Sequence, residues 1–239
     1  MMHMMPNVHF VYSMSKDAWN VLRVITEHSQ YDANDPSEWW LGELSREFVG
    51  EVRSMTDEEK KKEIISRHLE VEYQKKKQLL DERIKLFSEK WATINESYFK
   101  IVARVLKTTI ADDVLYTGYL TSAGSCPFHT EKRWFMVRTD DTCGDMIAAH
   151  EILHMEFRRK YASLCLNEMK LSSKEFGDFQ EATTFLLNEE MSGMLSRPDY
   201  GYKEHKKLRA MLTDEWKKHK DFDALLAYYM TIKDSWRKE

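Results

Sequence analysis

Gly144-Asp145-Met146-Ile147-Ala148-Ala149-His150-Glu151-Ile152-Leu153-His154-Met155-Glu156-Phe157-Arg158-Arg159-Lys160-Tyr161 is the stretch against which the rest of the chain is read. On an α-helix, His150 and His154 stand one turn apart on the same face. Two imidazoles so placed can meet one metal ion, and neutral imidazole is a favoured Zn²⁺ ligand. Glu151 sits one position round from His150, near enough to touch a water on such an ion without coordinating it. This is the H-E-x-x-H arrangement, with the glutamate as candidate general base. Met146, Ile147, Ala149, Leu153 and Phe157 give the segment an apolar face, and Glu156, Arg158, Arg159 and Lys160 gather at its far end. Asp141 or Thr142 can cap the start, and basic residues suit the last turn. Inward-facing histidines and a glutamate carry a desolvation cost that a metal would offset. The bland alternative is two histidines that merely share a helix.

Composition sets the bounds. The chain has 239 residues, enough for one domain or a domain with a helical extension. Hydrophobic residues at 42% allow a sizeable core, and 32% charged residues with a net charge of −4 indicate an ordinary soluble protein. There is no global basic bias to argue for nucleic acid. Met1 to Ser15 is Met-rich but holds Pro6 and no continuous apolar run, so it reads as neither a secretory signal nor a membrane span. Cys126, Cys143 and Cys165 are odd in number and form no C-x-x-C pair, which fits a reduced, cytoplasmic compartment. Eight Gly and four Pro favour a mainly helical chain.

Upstream of the helix, Val8 to Ser13 reads as a short strand. Ser15 reads as the cap of a helix to about His28, with Trp19, Leu22, Val24 and Ile25 inward. A turn is expected at Tyr31-Asp32-Ala33-Asn34, then Asp35-Pro36 as cap and first position of a helix to Val52. That helix carries Trp39, Trp40, Leu44 and Phe48, and tryptophans at this spacing are core rather than a binding cage. Thr56-Asp57-Glu58-Glu59 is a capping box that opens a long charged helix. Its apolar phase runs from Ile65 through Leu69, Leu80, Phe87, Trp91 and Tyr98 to Val105. One helix from Thr56 to Lys107 would be roughly 75 Å long at about 1.5 Å per residue, so a break into two packed helices is expected between Phe87 and Asn95. The triplets Lys60–Lys62 and Lys75–Lys77 are balanced by nearby acids and read as a solvated face.

Val114 to Leu120 and Arg133 to Thr139 are rich in strand formers, and Gly124, Ser125 and Pro127 lie between them, which predicts a hairpin with a long loop. A free edge on such a strand could receive an extended peptide, although a plain structural sheet fits equally well. Ser172-Ser173-Lys174-Glu175 opens a further helix that includes Phe176, Phe179, Phe185 and Met191 and ends near Ser196 to Pro198. From Asp199 onward come a Gly-Tyr turn and two helices split near Lys220-Asp221, with Leu208, Leu212, Trp216, Leu225, Leu226, Tyr229 and Ile232 inward. The class expected is α+β and predominantly helical, a metal-binding helix beside a small antiparallel sheet. Residues 1–110 form an N-terminal helical region packed on a metal-binding region 111–239, or the two are one continuous domain.

Catalytic zinc usually has three protein ligands and one open position. Glu168, Glu175, Glu181, Glu189, Glu190 and His205 are the downstream candidates. Over Val114 to Asp199 the chain resembles the zincin metallopeptidases, in their gluzincin branch. The metzincin extension requires a glycine and a third histidine where Phe157 and Lys160 stand. The resemblance implies a zincin-like core and a third ligand on the Ser173 to Leu195 helix, with Glu181 first and Glu189 or Glu190 as alternatives. Many gluzincins place an aspartate four residues after that ligand to support a histidine; here the position is Phe185. Glu156 also stands where a hydrophobe is usual. The implied activity is zinc-dependent hydrolysis of a peptide or protein substrate. His150, His154 and Glu181 would hold Zn²⁺, and Glu151 would be the base. Tyr202 or His205 would be the second catalytic donor, unless that segment is only a surface turn. The rival reading is a non-catalytic, zincin-like regulatory or partner-binding module. Neither nucleic acid nor membrane is an expected partner.

Overall fold

Two strands far apart in sequence meet at the centre of the fold. In the computed structural model, which describes residues 5–27 and 39–237, β1 (Asn7–Tyr12) pairs in parallel with β2 (Leu115–Thr121). Register runs from Asn7 opposite Leu115 to Tyr12 opposite Leu120. The turn at Tyr31–Asn34 and the cap at Asp35-Pro36 lie outside the described residues.

The sheet is mixed rather than antiparallel. β4 (Trp134–Arg138) lies parallel to β2, and only the short β3 (Phe128–His129) runs antiparallel, to β4, giving the order β1-β2-β4-β3. Residues 114–120 and 133–139 therefore do not form the expected hairpin; the antiparallel pair is β3–β4, with β3 inside the segment expected to be loop. The segment after β2 carries the chain out to the far edge, so that β4 re-enters beside β2. Backbone bonds hold that crossing: Gly124 N donates to Trp40 O and Glu43 N to Ser122 O, each at 2.9 Å. Gly42, at φ +59°, permits the close approach, since a Cβ there would stand 2.4 Å from Ser122 O. It also divides the expected Pro36–Val52 helix. Trp39–Leu41 forms one 3₁₀ turn, and α2 (Arg46–Ser54) starts afresh from the Ser45 cap.

Helices cover both faces of the sheet. α1 (Met14–Glu27) lies on the Tyr119 and Trp134 side, where Lys16 Nζ sits 4.5 Å above the Trp134 ring. Asp17 in its first turn is buried and accepts from Thr121 Oγ1, Ser122 N and Ser122 Oγ. Ser15 is inside this helix rather than its cap. Trp19, expected inward, is 45% exposed and meets Trp134 edge-on.

The opposite face, formed by Phe10, Tyr116, Leu120 and Phe135, is covered by α3 (Glu58–Val105) and α4 (Gly144–Ser163). α3 is one helix of 48 residues capped by Asp57, without the expected break. Its length is resolved by serving two cores. Leu80, Phe87, Trp91, Tyr98 and Val102 enter the main core with the sheet, while Ile65 and Leu69 pack with α1 and α2 in a second, smaller one.

The remaining helices close over α4. α5 (Ser173–Thr183) begins with the expected capping box, Ser172 with Glu175. It stops at Thr184, and α6 (Phe185–Glu190) follows, where one helix to about Ser196 was expected. The hydroxyls of Thr183 and Thr184 bond back to the carbonyls of Gln180 and Glu181, a bond that bends helices. α7 (Lys206–His219) and α8 (Phe222–Ile232) divide at Lys220, which adopts a left-handed conformation, and Asp221 caps α8. All seven residues expected inward here are buried. Among the described residues no helix is long and apolar enough to cross a membrane, and the three cysteines are free.

Candidate metal centre

α4 is fixed before it presents anything. Tyr98 OH donates to Ala149 O at 2.7 Å, one residue before His150. At its N-terminus, Gly144 lies so close to α3 that a Cβ would stand 2.4 Å from the Phe87 ring. Asp141 Oδ1 accepts from Cys143 N, and Asp145 accepts from Ser196 N and Oγ. Farther along, buried Glu156 accepts from Tyr116 OH at 2.7 Å, so this departure from the zincin pattern has its own partner on β2.

His150 and His154 project from one face of α4, their rings 4.3 Å apart, and α5 brings Glu181 to them. Glu181 Oε2 is 3.7 Å from His150 Nε2 and 3.3 Å from His154 Nε2. Donors about 2.1 Å from a tetrahedral ion stand roughly 3.4 Å from one another, so these separations suit a His₂Glu set. His154 Nε2 and Glu181 Oε2 are buried and have no hydrogen-bond partner among the described residues. Buried polar atoms in that state are uncommon in folded proteins.

The groups around the triad set its charge. His150 Nδ1 lies 2.6 Å from Asp199 Oδ2, which leaves Nε2 to face the cluster. Burial alone would lower the His150 pKa, but Asp199 and Glu181 raise it to about 10. His154 goes the other way, lowered by burial and by His150. Burial pushes Glu181 up, yet both histidines outweigh it and hold the carboxyl below its usual range. Asp199 is itself gripped, its Oδ1 accepting from Thr184 Oγ1 and pairing with Arg209, each at 3.0 Å.

Beside the triad is a cleft of about 230 Å³. Glu151 lines it with His150, Asp199, Arg197, Tyr200 and Tyr202. Burial, then Glu181 and Asp199, raise the Glu151 pKa to about 8 against the opposing pull of His150. Tyr202 is 54% exposed overall, but desolvation at its hydroxyl, then Glu181 and Glu151, raise its pKa, so the hydroxyl stays protonated. The edge strand β3 borders the site, with the Phe128 ring 5.6 Å from that of His154.

The other candidates lie elsewhere. His205 is buried with Nε2 at 3.1 Å from Asp178 Oδ1 and is not among the cleft residues. Glu190 binds Arg104, Trp216 and Lys220, and Glu189 pairs with Lys217. Glu175 belongs to the α5 cap and to Lys233. Asp199 was missed because it supports His150 from beyond α6 rather than from the Phe185 position. No protein-family model matches the chain, and searches of curated proteins and of solved structures return no match.

Proposed function

We propose that this protein is a zinc-dependent peptidase whose ion is held by His150 Nε2, His154 Nε2 and a Glu181 carboxylate oxygen. One observation carries the reading: His154 Nε2 and Glu181 Oε2, buried on different helices, face each other at 3.3 Å without a hydrogen-bond partner among the described residues, and His150 Nε2 lies 3.7 Å from the same oxygen. Zinc in such a site supplies a Lewis acid that brings the pKa of water towards about 7 and polarises a carbonyl.

The chain's own groups account for the rest. Asp199 keeps His150 in the tautomer that offers Nε2. Glu151, on the cleft beside the ligands, accepts the proton of the attacking water and returns it to the leaving amine. Tyr202, on the cleft wall, donates to the oxyanion. The β3 edge offers backbone groups to an extended substrate.

The test pairs metal content with turnover. About one zinc per chain is expected by elemental analysis, from the requirement for three protein ligands, and the His150→Ala/His154→Ala protein should hold none. Glu151→Gln should keep zinc and lose cleavage of a peptide library. A protein without zinc after zinc-replete expression would overturn the reading. Equal cleavage by Glu151→Gln would overturn the mechanism, and zinc without any cleavage would leave the non-catalytic module.

A further inference from the structure

The cleft contains one cation that the protein does not use. Arg197 is the only arginine or lysine among its lining residues, and among the described residues its guanidinium forms no hydrogen bond or ion pair. Neighbouring arginines are all engaged: Arg209 with Asp199, Arg138 with Asp140 and Arg158 with Gln180.

The loop that carries Arg197 is pinned on both sides. Before it, Ser196 donates from N and Oγ to Asp145 and accepts from Lys90 Nζ. After it, Asp199 N donates to Asn188 Oδ1, and Asp199 O accepts from Asn188 Nδ2 and Arg209. Pro198 between them restricts the backbone further. A guanidinium is a rigid fork of donors matched to a carboxylate. Here that fork lines a concave site together with His150, Glu151 and Asp199, on a backbone fixed at both ends. Asp199 is already committed to His150 and Arg209.

We propose that Arg197 determines specificity by binding a carboxylate of the substrate, so that the site selects peptides presenting one beside the cleaved bond. This rests on the peptidase reading. The carboxylate is either the free C-terminus or an Asp or Glu side chain, and the chemistry that Arg197 recognises is the same.

Calorimetric titration separates the two sources. The full-length protein carrying Glu151→Gln, as purified and again after zinc loading, is titrated with acetyl-Ala-Ala-Ala and its C-terminal amide. Acetyl-Ala-Glu-Ala-amide and acetyl-Ala-Gln-Ala-amide form the second pair. In one pair the carboxylate peptide should bind about tenfold tighter or more than its neutral counterpart, as expected for a bidentate charged contact. Arg197→Gln should abolish that preference and Arg197→Lys retain part of it. A preference for the first pair identifies the C-terminus, and one for the second identifies the side chain. No preference in either pair, or one that survives Arg197→Gln, overturns the proposal. Carboxylate binding through Arg197 in a parent protein that cleaves nothing would sink the peptidase reading while leaving this site standing.

Discussion

Asp199 governs what His150 can do, because it occupies one ring nitrogen and leaves the other free. Asp199→Asn should therefore weaken zinc binding about 10- to 100-fold, the usual effect of removing such a support, and should also lower stability, because buried Arg209 loses its charged partner. Competition against a chromogenic chelator measures it, and unchanged affinity would mean that Asp199 does not orient the ring. Gly144 is the other critical position. Alanine is the better helix former by about 1 kcal/mol, but its methyl would meet the fully buried Phe87 ring. Gly144→Ala should lower stability by about 1–3 kcal/mol in urea titration, and Gly144→Ala/Phe87→Leu should recover part of the loss. The residues legible in sequence were those set by local spacing: His150, Glu151 and His154 share one helix, whose period places them. Asp199 was illegible because it reaches His150 by way of α6 and a loop, and no local pattern marks it among 40 acidic residues.

Among the elements, α3 shows how a sound length argument fails. The expected break assumed one core, and a helix of 48 residues is too long for one. The apolar phase was right throughout, but it serves two cores in succession. Lys77 is an exposed residue between Leu69, in the smaller core, and Leu80, in the main one. Lys77→Pro should cost about 3 kcal/mol or more by removing a helical bond and kinking the helix, while Lys77→Ala should change little. Differential scanning calorimetry reads both, and a Lys77→Pro protein that melts with the parent would show that α3 does not couple the cores. The positions of β1, β2 and β4 were also legible from composition, while the two-residue β3 was read as loop. Strand direction was not legible, because it depends on the crossing held by Trp40 and Glu43, a tertiary event. The break at Thr184 escaped notice because Phe185, Leu186 and Leu187 continue an apolar run that a longer helix would also show.

At the scale of the molecule, Glu190 joins three helices: it accepts from Arg104 on α3, Trp216 on α7 and Lys220 at the α7 end. Burial pushes its carboxyl up, but Arg104, Lys220 and Trp216 prevail and hold it at about 2. A depressed carboxyl contributes stability that is complete above its ordinary value of 4.5 and is lost as pH falls through about 2. Glu190→Gln should therefore be less stable than the parent by roughly 1–3 kcal/mol at pH 6, discounted for the exposed cations, and the gap should narrow as pH drops towards 2. Urea titrations at several pH values test this, and a gap independent of pH would remove Glu190 from the acid response. The long helix has a further consequence, during synthesis. Phe87, Trp91, Tyr98 and Phe99 are synthesised before β2 and α4, which cover them. At about 5–20 residues per second, translating from Val105 to Ser163 takes roughly 3–12 s. For that interval most of the greasy ridge on the nascent chain lacks its later cover, with only the strand made before it, through Phe10, already available to pack there.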